Sequence, residues 1–383
     1  MKTLSSLILA LGCITIARSD ARADTPYDSM LARVPEQANI LLIVDNEGLL
    51  KSALGVQEKW DQNYMKSALG GLFGSPPHLL RLVVAAQLNH HTLENQWEVG
   101  VSDLHKGYSI TNKDLVAATR GARDSVGGHE VTLTPQNTYL VPFNHYQVGT
   151  MCPANRQALS RWLRTTDLVG SGRISPFLQA SVDNLPKDAQ AQLAIDLSDM
   201  FEADGLRQRF KNSKPLADAG IDVEATTKLF SMVKGLTFVL RVGRDIDGEL
   251  RIHFDDSPTA LQPVAKAMVI NAMNSVGASI EELTEWETSV DGTAIILRGK
   301  LTKSSARKIF GPLFRPMAIV GKNADTEDDT PAAASKRYFM AVQSLIDDLE
   351  STKAKSLSER SFWYKEFADK IDGLSVLKVD DDL

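Results

Sequence analysis

His253 and Asp255 alternate along one run of residues, so on a strand they share a face. With Asp256 beside them they could bind a metal or supply a general base, although acids just before Ser257-Pro258 also suit the cap of a following helix. Asp45 and Asp196 are a second pair, each ending an apolar stretch in the same way. Two such carboxylates facing each other across a cleft would make an acid–base pair; the simpler expectation is an N-cap in each place. His90-His91-Thr92-Leu93-Glu94 reads as a solvated turn. Adjacent histidines on a strand point to opposite faces, and the helical zinc-protease spacing is absent. Ser305 and Lys308 have the serine-to-lysine spacing of penicillin-recognising enzymes, but no Ser-Asp-Asn or Lys-Thr-Gly partner occurs, so a helix first turn is expected. The catalytic candidates are therefore Asp45, Asp196, His253 and Asp255, with no cofactor and no metal site expected.

The absent motifs narrow the chemistry further. There is no nucleophile elbow, phosphate loop, dinucleotide fingerprint, haem-attachment site or EF-hand loop. An enzyme would have to assemble its site from distant residues.

The elements that would position these side chains are organised around a repeated stretch. Val34-Pro35-Glu36-Gln37-Ala38-Asn39-Ile40-Leu41-Leu42-Ile43-Val44-Asp45 recurs 151 positions later as residues 185–196, with Pro35, Ala38, Leu42 and Asp45 matching Pro186, Ala189, Leu193 and Asp196. Each copy reads as a strand that ends in aspartate and runs into a helix. Unbroken apolar runs at Leu79–Leu88 and Leu236–Val242 follow as buried strands, and Trp97–Val101 alternates as a half-buried one. A helix is expected over Lys113–Arg123, ending near Gly127-Gly128, then strands at Glu130–Leu133, Thr138–Pro142 and His145–Met151, and a helix from Asn155. Asp245–Gly248 and Asp291-Gly292 signal hairpins, and apolar spacing at Leu261, Val264, Ala265 and Met268 signals a helix between them. The expected fold is α+β: two tandem related units, each an antiparallel or mixed sheet packed with helices, then a C-terminal helical pair. The boundaries are 1–23 for a signal peptide, 24–170 and 171–320 for the units, 321–335 for an acidic flexible linker, and 336–383 for the helical segment. In that last segment Tyr338, Val342, Leu345 and Leu349 form one stripe, and Trp363, Phe367 and Ile371 another.

Compartment follows from the N-terminus. Met1-Lys2, an apolar run over Leu4–Ile16 and Ala21-Arg22-Ala23 have the order of an export signal, which predicts a periplasmic or extracellular protein cleaved after Ala23. The alternative, lipidation at Cys13, has Ala10 where a larger aliphatic is usual. Cleavage leaves Cys152 as the one cysteine, read as a buried inert thiol, so no internal disulfide can brace the fold. Losing the leader's net +2 takes the charge from −6 to −8, which disfavours nucleic acid, and no further transmembrane segment is expected. With 43% hydrophobic and 23% charged residues the 383-residue chain has the composition of a folded protein with room for two domains.

The export signal, Val34–Ala38 leading to Asp45, and the tail Lys336-Arg337-Tyr338-Phe339-Met340-Ala341-Val342-Gln343-Ser344-Leu345 together resemble an uncharacterised family of secreted planctomycete-type bacterial proteins. That resemblance covers about a quarter of the chain and implies no activity. The functional expectation is an exported, non-enzymatic binding or structural protein whose C-terminal helices take a protein partner. The alternatives are a hydrolase with its site in the groove between the two units, and a carrier of a small apolar ligand.

Overall fold

Ile40-Leu41-Leu42-Ile43-Val44 is apolar at every position because the strand it forms is covered on both faces. The computed structural model describes residues 25–63, 72, 77–89, 95–135, 137–166, 174–275, 280–310, 331–351 and 357–372. The first seven strands are β1 (Ile40–Asp45), β2 (Leu79–Leu88), β3 (Asn95–Leu104), β4 (Ala122–Val126), β5 (His129–Leu133), β6 (Tyr139–Asn144) and β7 (Gln147–Cys152). The remaining five are β8 (Ala191–Asp196), β9 (Val233–Val242), β10 (Ile246–Phe254), β11 (Glu287–Asp291) and β12 (Ala294–Leu301). Helices of the first half are α1 (Asp28–Leu31), α2 (Asn46–Lys51), α3 (Ala53–Gln57), α4 (Trp60–Asn63), α5 (Asn112–Thr119), α6 (Arg156–Thr166) and α7 (Pro176–Asp183). Those of the second are α8 (Ala203–Lys211), α9 (Lys214–Asp218), α10 (Val223–Ser231), α11 (Gln262–Ser275) and α12 (Lys303–Phe310), with α13 (Pro331–Ser351) and α14 (Leu357–Asp372) after them.

The architecture is mixed helix and strand, built on one large antiparallel sheet. Where two sheets were expected, β1 and β8 pair directly, and all 12 strands join in the order β11-β12-β10-β9-β8-β1-β2-β3-β7-β6-β5-β4. The edges of the two apolar runs meet because each is too hydrophobic to be left open to solvent. Counting outward from that junction, β1-β2-β3-β7-β6 on one side has the same succession as β8-β9-β10-β12-β11 on the other. Leu42 lies directly opposite Leu193 at the junction. Both second strands carry an extra residue at the same place, Leu80 between the paired Leu79 and Arg81, and Lys234 between the paired Val233 and Gly235.

Strand alternation sends side chains to two cores. The first face collects Leu42, Val44, Leu82, Leu193, Phe238, Leu240 and Leu297 beneath α11 and α12. On the second face Leu41, Ile43, Val83, Val99 and Met151 are packed by Leu159, Trp162 and Leu163 of α6 and by Leu178 and Val182 of α7. The halves differ here: α6 follows β7 onto the second face, whereas Ala306 and Phe310 place α12, which follows β12, on the first.

Three local expectations are corrected. The helix predicted through Arg123 stops at Thr119, where Arg120 takes a left-handed conformation (φ 52°), and Ala122 already begins β4. Gly127-Gly128, read as a helix stop, is the β4–β5 hairpin turn, with φ of 61° and 86°. The acidic linker expected over 321–335 is helical from Pro331, where α13 begins; residues 321–330, the signal residues and His90-His91 lie outside the described residues.

Candidate functional site

Asp45 closes β1, and its Oδ1 accepts from the Gly48 N–H at 3.1 Å, the N-cap bond of α2. A Cβ at position 48 would fall 2.5 Å from Asp45 Oδ2, so a larger residue there would have to displace the capping carboxylate. Burial and the neighbouring Asp45 carboxylate push the Tyr27 phenol well above its usual range. Asp196 is not a helix cap, since α8 begins only at Ala203; its Oδ1 accepts from Ser198 N–H at 2.9 Å and closes a turn. The two aspartates do not face each other. Asp45 donates its backbone N–H to Gln190 and Asp196 donates its own to Asn39, at opposite ends of the β1–β8 pair. That separates them by roughly 20 Å at the usual strand rise. Asp45→Ala is therefore expected to cost about 1 kcal/mol of stability in urea unfolding, with Asp45→Asn retaining most of it.

Two of the four candidates do share a row. Asp196 lies opposite Gly235, which lies opposite His253, all on the second face. Phe177 of α7 fills the space between them: a Cβ on Gly235 would stand 2.4 Å from its ring, and the same ring meets His253 edge-on at 5.5 Å. His253 Nε2 is 3.2 Å from Thr237 Oγ1, and burial together with Arg251 lowers its pKa, so the ring is neutral at neutral pH. The expected pairing of His253 with Asp255 gives way because β10 ends at Phe254; the Asp255 carboxylate turns to Lys234 at 2.9 Å, beside the bulge. Ser305 is the helix first turn, its hydroxyl donating to Glu282 Oε2 at 2.8 Å, and Cys152 is buried. Among the described residues no group of three or more His, Cys, Asp or Glu is placed to hold a metal ion.

The densest charge array is one that sequence reading passed over. Glu249 of β10 is 4% exposed and sits among three guanidiniums on the second face. Arg251 Nε donates to its Oε1 at 2.5 Å, and Arg298 Nε and Arg241 Nη1 to its Oε2 at 2.9 and 3.3 Å. Arg241 also reaches Asp188 at 3.0 Å, and Arg251 reaches Asp291 at 3.6 Å. Burial alone would raise the Glu249 pKa, but the hydrogen bonds from Arg251 and Arg298 outweigh it and hold the carboxyl below its usual range. With the acid ionised and guanidiniums that do not deprotonate, this array has no proton to transfer near neutral pH. It is a charge ladder on the strand side opposite Leu250, Ile252 and Phe254. The signal for it was the alternation Glu249, Arg251, His253 against those apolar residues.

The remaining surface of note belongs to α13 and α14. Leu345, Trp363 and Phe367 form a small core of their own, with Tyr338, Val342, Leu349 and Ile371 packed around it. Outside that core both helices show apolar side chains to solvent. Phe339 and Ile346 are 53% and 43% exposed on α13, and Leu357 and Tyr364 are 83% and 55% exposed on α14. In each pair the residues are seven apart, so each lies along one helix face.

No protein-family model matches the sequence, and no curated protein does. Solved structures that resemble the chain include crystal form I of TP0453, with a TM-score of 0.43 and 11% identity over 77% of this chain and 99% of that one. Crystal form III of TP0453 gives a TM-score of 0.40 and 10% identity over 76% and 99%.

Proposed function

We propose that this is an exported, non-enzymatic binding protein: a rigid sheet body of two related units that carries a helical hairpin for capturing a protein partner. The observation that carries the reading is the paired exposure of Phe339 with Ile346 and of Leu357 with Tyr364, outside a hairpin core that is already complete. Large apolar side chains in spaced rows on a surface helix are what helix-in-groove and helix-on-helix recognition uses. The scattering of Asp45, Asp196, His253 and Asp255 over different partners supports binding over hydrolysis. The matched strand successions, the shared bulge position and the Leu42–Leu193 juxtaposition support descent of the two units from one copied module. No helix among the described residues is long and apolar enough to cross a membrane. Deleting residues 321–383 is expected to leave the unfolding midpoint of the sheet body within a few degrees of the full chain while abolishing partner capture. Capture that survives the deletion removes the hairpin from the function.

A further inference from the structure

α7 is seated on the second face at two places that differ in chemistry. Leu178 and Val182, with Ile174 just before the helix, pack into the second-face core, and Gln192 Nε2 of β8 donates to the Ser181 carbonyl at 2.8 Å. None of those groups titrates. The other seat is Phe177 in the first turn, whose ring lies against Gly235 of β9 and meets the His253 ring of β10 edge-on. His253 is the one group in either seat that can gain a charge.

We propose that His253 is an acid-sensitive latch on α7: the helix is held against β9 and β10 while the ring is neutral and loosens when the ring is protonated. The charged groups around the ring leave an imidazolium uncompensated. Arg251, two residues along β10 on the same face, is itself a cation, and it already engages Glu249 and Asp291. Asp196 and Asp291 are the carboxylates in the His253 row, each two strands away, roughly 10 Å at the usual strand spacing. Between them β9 and β12 contribute only Gly235 and Ala294. Asp255 turns to Lys234 at 2.9 Å. From above, α7 presents its N-terminal, positive end, and its one ionisable residue, Asp183, is at the other end. The ring has one hydrogen bond, Nε2 with Thr237 Oγ1 at 3.2 Å, so the second N–H of an imidazolium has no acceptor among the described residues. Solvating that N–H requires the ring to turn outward or α7 to yield, and either move breaks the contact with Phe177. Burial and Arg251 lower the His253 pKa in the closed state. The latch is therefore at full strength above the open-state value of about 6.5, and it weakens as pH falls below that towards the lowered closed value.

Hydrogen exchange of the full chain, followed by mass spectrometry between pH 7.5 and 5 and corrected for the intrinsic effect of pH, tests this. Peptides covering residues 174–183 should open more often on acidification, by about tenfold per pH unit at most because one proton is linked. Peptides from α6, which packs on the same face away from His253, should not respond. His253→Gln keeps a side chain that can hydrogen-bond to Thr237, so it should match wild type at pH 7.5 and lose the acid response. Phe177→Ala removes the contact itself, so α7 should be loose at both pH values with little further response to acid. A wild-type chain whose α7 ignores acid overturns the latch, and so does an undiminished response in either variant. An equal response in α6 would mean general loosening of the fold and overturns it as well.

Discussion

Replacing Glu249 with alanine is expected to destabilise the fold by about 3 kcal/mol, far more than its position on an open sheet face would suggest. The carboxylate is 4% exposed and accepts from Arg241, Arg251 and Arg298, which come from three adjacent strands. Removing one of the arginines leaves two to serve the acid, and the more exposed Arg298 should cost less than about 1 kcal/mol. Removing the acid leaves three guanidiniums facing one another, two of them less than a third exposed and left only with the outlying Asp188 and Asp291. The same geometry fixes the sign of the pH response. Because the folded-state pKa is below the unfolded one, the stabilising contribution is fully present above the unfolded value of about 4.3. It is lost as pH falls through the lowered folded value. Urea unfolding should therefore show a gap between wild type and Glu249→Gln that is widest near pH 7 and closes on acidification through that window. A gap independent of pH would mean that the glutamate stabilises by shape and not by charge.

The apolar runs were the legible part of this fold. β2 has the bounds of its apolar run, Leu79 to Leu88, and β9 extends its run only from Leu236 back to Val233, because strands buried on both faces are written as unbroken hydrophobic sequence. The cap at Asp45 was legible for the same kind of local reason, an acid placed immediately before a helix. What could not be read was decided by the strands and side chains that each segment pairs with. Ala122–Val126 has a weak strand sequence, Ala-Arg-Asp-Ser-Val, and is a strand because β5 supplies its hydrogen bonds across the Gly127-Gly128 turn. The direct pairing of β1 with β8 joins residues about 150 positions apart, so two sheets and one sheet look alike in sequence. Glu249 gives the same lesson for a site. Its neighbours Arg241 and Arg298 are 8 and 49 residues away, and nothing local to the glutamate announces that they converge on it.

The two halves of the sheet also show how far similar strand plans can diverge in packing. In the first half Gly149 lies under Phe143 and Trp162 on the second face, where α6 docks. In the second half Gly235 lies under Phe177 on that same face, but Gly248 and Gly299 face the other way. They form a directly opposed pair on β10 and β12, and Trp286 lies across both. An aromatic ring over a glycine pair is a packing solution that sequence periodicity treats as two gaps in a strand. Here it is what carries the first-face core to the edge of the sheet. The indole is 1% exposed, donates from Nε1 to the Lys300 carbonyl at 3.0 Å, and packs on Phe238 at 5.9 Å, which in turn meets Phe310 edge-on at 5.6 Å.

That arrangement predicts a non-additive pair of substitutions. Trp286→Ala should cost about 4 kcal/mol, the loss of a fully buried aromatic side chain and the cavity it leaves. Gly299→Ala adds a single methyl, yet its Cβ would stand 2.3 Å from Trp286 Cδ1 and 2.6 Å from Cγ, both in the rigid part of the ring. The ring must therefore leave its place, giving up the Lys300 hydrogen bond and the Phe238 contact, and the expected cost is about 3 kcal/mol. Once the indole is gone the methyl has room. The double variant should thus be no less stable than Trp286→Ala alone, a coupling of about 3 kcal/mol where independent sites would simply add. The measurement is a double-mutant cycle by urea unfolding at neutral pH. Costs that add would place the indole somewhere other than over the glycine pair.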